Sequence, residues 1–279
     1  MARRYDRESR SQVIHRLGVE SYVLAMAVAE PRHCIDEGMD LMSLAGKKIV
    51  IIGGTSGIGF AVAQQAAAAG ADVVVASSNQ DRVDAATKRL GESAEGRRLD
   101  VADGNAIAAF FEQVGEFDHL VYTAGESLLI KPLVDTTPQE ARAVFERRFW
   151  GAFLSAKYAA PRLRDGGSIT FSSGVLAIRP LSGTALTAGI TGGIEALSRA
   201  LAVELAPLRV NVIQPGVIRT ELWDGSVPDP EAFLQGAGSE LLTRRVGTAE
   251  EAAAAYLFVL ANAYVTGTTL AIDGGAALV

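Results

Sequence analysis

The stretch GGTSGIG (53–59) places four glycines in seven residues. It follows the β-branched run KKIVII (47–52) and opens into the alanine-rich AVAQQAAAA (61–69). Glycines at such a strand-to-helix turn allow a tight bend. They also let backbone N–H groups approach a pyrophosphate at the helix N-terminus. Gly53, Thr55, Ser56, Gly57, Ile58 and Gly59 are therefore expected to hold a dinucleotide. After the next apolar run, DVVVA (72–76), the chain reads SSNQDR (77–82). A carboxylate there would hydrogen-bond a ribose 2′-hydroxyl and repel a 2′-phosphate. Ser77 stands in its place. Ser77, Ser78 and Asn79 can donate to a phosphate, and Arg82 is within reach along the chain. NADP(H) is the expected cofactor, with NAD(H) the less favoured alternative.

A second group of hydroxyls lies later. FSSG (171–174) ends a β-branched run, and GTALTAGITGGIEAL (183–197) follows it. In the latter stretch Glu195 is the sole titratable side chain. Residues 181–198 contain neither Tyr nor Lys. Hydroxyls such as Ser173, Thr187 and Thr191 can donate hydrogen bonds to an oxyanion. They surrender a proton far less readily than a phenol, which itself titrates near pH ~10.

The elements that must position these groups alternate. Strands are expected at 47–52, 72–76, up to Arg98 and Leu99, 119–124, 168–173, 209–214 and 268–273. Helices are expected at 61–69, 81–90, 104–114, 138–164, 184–206 and 248–261. This alternation predicts a single doubly wound α/β domain over 43–279, with about seven parallel strands. Residues 1–42 read as an N-terminal extension.

The 279 residues are 49% hydrophobic and 21% charged, an ordinary globular profile. The net charge of −6 and the lack of a basic tract beyond the first ten residues argue against nucleic-acid binding. No apolar run reaches the length of a membrane span. One cysteine, Cys34, fits a reducing compartment, and a cytoplasmic location is expected. His15, His33 and His119 are scattered, so no metal site is expected.

Five motifs in order make the chain similar to the short-chain dehydrogenase/reductase family over about 44–279. They are GGTSGIG (53–59), LDV (99–101), YTAG (122–125), NVIQPGVIRT (211–220) and VTGTTLAIDGG (265–275). The resemblance implies a Rossmann-type fold and a nicotinamide dinucleotide. Asp100 and Val101 would contact the adenine. Ala124 and Gly125 would border the cofactor, and Pro215, Gly216, Ile218 and Thr220 would surround the nicotinamide.

The family's chemistry uses a Ser, a Tyr and a Lys spaced Y-x-x-x-K, plus an Asn. Aligned on GGIEALSRALAVELAPLRVN (192–211), Thr187 falls at the Tyr position and Thr191 at the Lys position. Aligned on FERRFWGAF (145–153), Arg148 falls at the Asn position. Ser173 alone is kept. Ser173, Thr187, Arg148 and Thr191 are the candidate catalytic residues. Tyr122 and Arg179 are further candidates near the nicotinamide, and Tyr122 is expected to line the cofactor cleft.

Three functions stay open. The first is hydride transfer to a carbonyl, activated alkene or imine without the usual acid–base pair. The second is a redox-neutral cyclisation, dehydration or isomerisation, and the third a cofactor-binding scaffold. The resemblance also implies a lid at about 219–245. Leu222, Trp223, Phe233 and Leu234 would give it an apolar inner face suited to a small or medium, partly apolar substrate. A homodimer or homotetramer is implied by the same resemblance.

Overall fold

The computed structural model describes residues 44–125 and 128–279. Leu41–Val279 form one compact unit. The expected extension at 1–42 lies outside the described residues. Among the described residues no helix is long and apolar enough to cross a membrane.

A seven-stranded parallel sheet forms the centre. Its strands are β1 (Lys48–Ile52), β2 (Asp72–Ser77), β3 (Ala94–Arg98), β4 (Phe117–Tyr122), β5 (Leu163–Ser172), β6 (Arg209–Pro215) and β9 (Thr269–Ile272). Their spatial order is β3-β2-β1-β4-β5-β6-β9. In β1, Ile49 through Ile52 are all buried, because helices cover both faces of the sheet. Two short strands, β7 (Ile218–Arg219) and β8 (Gly247–Thr248), pair beside it.

The order reverses between β1 and β4, whose register pairs Ile52 with Tyr122. Loops leaving the C-terminal ends of these two strands diverge, and that divergence opens a crevice where ligands of such sheets bind. The helix α1 (Gly57–Ala68) packs with α8 (Ala249–Ala261) on one face. Alanines at their contact permit close approach, and Tyr256 fills the space beneath. On the other face, α3 (Gly104–Val114) and α5 (Gly151–Ala159) cover the core of Ile107, Phe111, Phe117 and Phe171.

Local signals explain the helix starts. Asn79 caps α2 (Gln80–Leu90) by accepting from Arg82 N, and Asp103 caps α3. Thr248 and Glu251 form a reciprocal capping box on α8.

The helix expected over 138–164 is broken. The structure has α4 (Pro138–Phe145), one wide π-helical turn (Glu146–Trp150) and then α5. A short 3₁₀ turn (Ala160–Arg162) follows, and β5 starts at Leu163 rather than 168. Arg164 explains part of the early start: its Nη1 donates to Asp118 Oδ2 at 3.0 Å, which holds the chain against β4. The long helix α6 (Ala185–Glu204) matches expectation to within two residues at each end.

Candidate active site

A cleft of about 1490 Å³ opens at the C-terminal ends of β1, β4, β5 and β6. Its floor begins at the glycine turn. Gly53 has φ +90°, and a Cβ there would lie 2.6 Å from Ala124 N. Gly59 brings α1 against that turn. A Cβ at 59 would overlap Gly53 O and Thr123 Oγ1 and sit 2.9 Å from Gly53 C. The result is a cradle of bare backbone at the N-terminus of α1. Such a cradle fits a pyrophosphate and has no room for a side chain.

The remaining expected cofactor residues gather around the same cleft. Gly53, Thr55, Ser56, Gly57, Ile58 and Gly59 line one part of it. Ser77, Ser78 and Arg82 line the end beyond β2, and Asp100 and Val101 line the wall after β3. Ala124, Gly125, Pro215, Gly216, Ile218 and Thr220 complete the lining. Asn79 is the exception and is not among the lining residues. Its Oδ1 accepts from Arg82 N at 2.9 Å, so its carbonyl is committed to capping α2.

The four candidate catalytic residues also reach the cleft, from three elements. Arg148 comes from the π-helical turn, and its guanidinium covers the face of Gly125. An extra residue in a helical turn re-aims the side chains that follow. This turn directs Arg147 into the cleft as well. Thr187 is 2% exposed, and its Oγ1 donates toward Leu129 O at 3.4 Å. Thr191 Oγ1 donates to the carbonyls of Thr187 and Ala188 at 2.9 and 3.2 Å. Both threonine hydroxyl protons are therefore held by backbone. No Tyr or Lys lies on α6.

Ser173 has the partner that the sequence reading missed. Its Oγ donates to Glu195 Oε1 at 2.8 Å, and Gln214 Nε2 donates to the same oxygen at 2.7 Å. Glu195 is 9% exposed. A periodic signal was present: Thr187, Thr191 and Glu195 recur every four residues, which places all three on one helical face.

Tyr122 does not line the cleft. Its phenol donates to Arg147 O, packed over Gly151, and burial pushes its titration far above the ordinary range. It holds the π-helical turn in place and is not a proton donor to substrate. Arg179 does line the cleft. His119 is buried with Nδ1 2.9 Å from Ser168 Oγ. Burial, reinforced by Arg209, pushes its pKa down to about 4, so it stays neutral at physiological pH.

The segment expected to form a lid folds as a 3₁₀ turn (Glu221–Gly225) and a helix α7 (Pro230–Glu240). Leu222, Trp223 and Phe233 line the cleft, whereas Leu234 is buried behind it. The Trp223 and Phe233 rings pack at 4.6 Å between centroids, and Trp223 Nε1 donates to Ile218 O. Ser226 Oγ accepts from Leu128 N at 2.8 Å, which ties this segment to the loop after β4.

Fold, glycine turn and cleft together define a dinucleotide-binding enzyme class, and sequence comparison agrees. The model of a family described as "Enoyl-(Acyl carrier protein) reductase" matches residues 53–277. The chain is 39% identical over 252 residues to the short-chain dehydrogenase/reductase ucsE of Acremonium sp, covering 83% of this chain and 96% of that relative. A small-chain dehydrogenase solved in complex with NADPH superposes with TM-score 0.74 at 39% identity, covering 84% of this chain and all of that one. The MalC reductase/Diels-Alderase from Malbranchea aurantiaca superposes with TM-score 0.79 at 32% identity, covering 86% and 98%. This chain belongs to the short-chain dehydrogenase/reductase family.

Proposed function

We propose that the protein is an NADP(H)-dependent reductase that transfers hydride to an activated alkene, imine or carbonyl of a partly apolar substrate. The observation that carries this reading is the bare-backbone cradle at Gly53 and Gly59, leading directly to the Ser173 wall of one continuous cleft. When bound, NADPH supplies the hydride. The residues after β2 favour the phosphorylated cofactor. Ser77 and Ser78 offer hydroxyls, Arg82 offers a cation, and no carboxylate occupies position 77 to repel a phosphate. A relative solved with NADPH supports the same choice.

The chain's residues divide the remaining work. Leu222, Trp223 and Phe233 exclude water and grip an apolar substrate. Arg148 and Arg179 bring positive charge toward developing negative charge. With no Tyr–Lys pair on α6, the site favours substrates that need little acid assistance, such as an activated alkene or an iminium. The enoyl reductase description of the matching family supports the alkene.

A test is NADPH oxidation against a panel of activated alkenes, cyclic imines and ketones. Turnover is expected with the first two and much weaker turnover with simple ketones. No turnover with any member would reject the reading.

A second reading is redox-neutral ring formation in the same cleft. It is favoured by the hydroxyl protons of Thr187 and Thr191 being tied to backbone, and by MalC, whose description pairs a reductase with a Diels-Alderase. We infer also that copies of the chain associate through the faces of α5 and α6. The half-exposed Trp150 and the exposed Val203 mark apolar surface there.

A further inference from the structure

We propose that Glu195 holds the proton of this site and exchanges it with bound substrate through the Ser173 hydroxyl. The inference rests on the hydride-transfer reading above. Glu195 does not line the cleft, whereas Ser173 does. Glu195 is thus a positioning residue and proton reservoir acting through Ser173.

Three observations converge on it. The carboxyl is buried on the inward face of α6, directly behind the cleft wall. One of its oxygens takes both hydrogen bonds, from Ser173 Oγ and from Gln214 Nε2. Gln214 is itself 3% exposed on β6, so it fixes the carboxyl against β5 and β6. Ser173 therefore joins a buried titratable group to the cleft by one hydroxyl. The two α6 hydroxyls that line the cleft, those of Thr187 and Thr191, are spent on backbone carbonyls.

The step balances. In reduction, the substrate takes two electrons and a hydrogen from the nicotinamide, which is oxidised. With an alkene, carbonyl or neutral imine, the Ser173 proton passes to the developing anion, and the new O–H, N–H or C–H bond forms as the Ser173 O–H breaks; an iminium takes the hydride alone. Glu195, entering as the acid, returns a proton to Ser173 and ends as the carboxylate. Water in the cleft restores its proton. Oxidation runs the same transfers in reverse and requires the carboxylate at the start.

Other charged residues lie on the elements packed against α6. Glu146, Arg147 and Arg148 come from the π-helical turn, and Arg179 follows the 3₁₀ turn at Val175–Ala177. Arg209, at the far end of β6, donates to Val259 O and Leu260 O on α8, and Arg164, beside Asp165 at the far start of β5, donates to Asp118. On α6 itself, Arg199 lies one turn beyond Glu195. The hydrogen bonds of Glu195, however, run to Ser173 and Gln214.

The test is Glu195→Gln, which keeps the shape and an oxygen for Ser173 but removes the exchangeable carboxyl proton. Expected is a fall in kcat for reduction of about 100-fold, the lower range of a positioned proton transfer. KM and NADPH affinity stay unchanged. Wild-type reduction falls as pH rises, and oxidation rises. Both limbs disappear in Glu195→Gln and persist at lower kcat in Glu195→Asp. A merely structural bond would leave the pH profile intact in Glu195→Gln, and that result overturns the proposal. A second readout needs no turnover. In the cofactor-free protein, an infrared carboxyl band should vanish in Glu195→Gln and shift in Ser173→Ala. A band indifferent to Ser173→Ala overturns the proposal even where Glu195→Gln does not fold. If wild type oxidises no NADPH with any substrate, the hydride reading falls and takes this one with it. If wild type turns over and Glu195→Gln matches it, only the Glu195 assignment falls.

Discussion

Replacing Gly59 with alanine will weaken dinucleotide binding by about two orders of magnitude. The added methyl would overlap Gly53 O and Thr123 Oγ1. The Gly53 backbone cannot yield. Gly53 is pinned at φ +90°, its N–H donates to Ala76 O at 2.8 Å, and its own free face lies against Ala124 N. The helix α1 must therefore retreat from the ends of β1 and β4. That retreat withdraws the N-terminal N–H groups from the phosphate position and opens the packing against α8. Overpacking of this kind costs about 1–3 kcal/mol. Calorimetric titration should show NADPH affinity weakened by about 100-fold or more, equivalent to roughly 3 kcal/mol. Wild-type affinity would mean that the phosphates sit elsewhere.

The second large effect is a gain. Thr187→Tyr combined with Thr191→Lys should raise reduction of simple ketones by about 100-fold, the size of a well-placed proton transfer. Both threonines line the cleft, so both new side chains have a volume to enter. A phenol titrates near pH ~10, and a neighbouring ammonium draws that value down toward neutrality. Neither effect is available to an aliphatic hydroxyl whose proton is bound to a backbone carbonyl. Steady-state rates with a ketone panel check this. No gain would show that the pocket has diverged beyond these two positions.

The sheet could be read from sequence because β1 and β2 are buried on both faces and appear as nearly unbroken β-branched runs. The glycine turn could be read because backbone contact excludes every larger side chain at Gly53 and Gly59. The break at 146–150 could not, because ERRFW contains ordinary helix formers and the apolar pattern continues through it. What bends the chain there is tertiary: the Tyr122 phenol donates to Arg147 O. Asn79 carried a local signal, since asparagine before a helix is a preferred cap, and that role competed with phosphate binding. Ser173, Glu195 and Gln214 come from β5, α6 and β6. Their meeting depends on sheet order, and no spacing along the chain encodes it.

The central claim is that hydride moves from NADPH to substrate in this cleft. The most direct measurement uses NADPH deuterated at the transferable position, with product analysed by mass spectrometry. Hydride transfer predicts product carrying the deuterium and the oxidised cofactor in equal amount. Product that forms without deuterium, with NADPH unconsumed, would contradict the claim and establish a redox-neutral reaction.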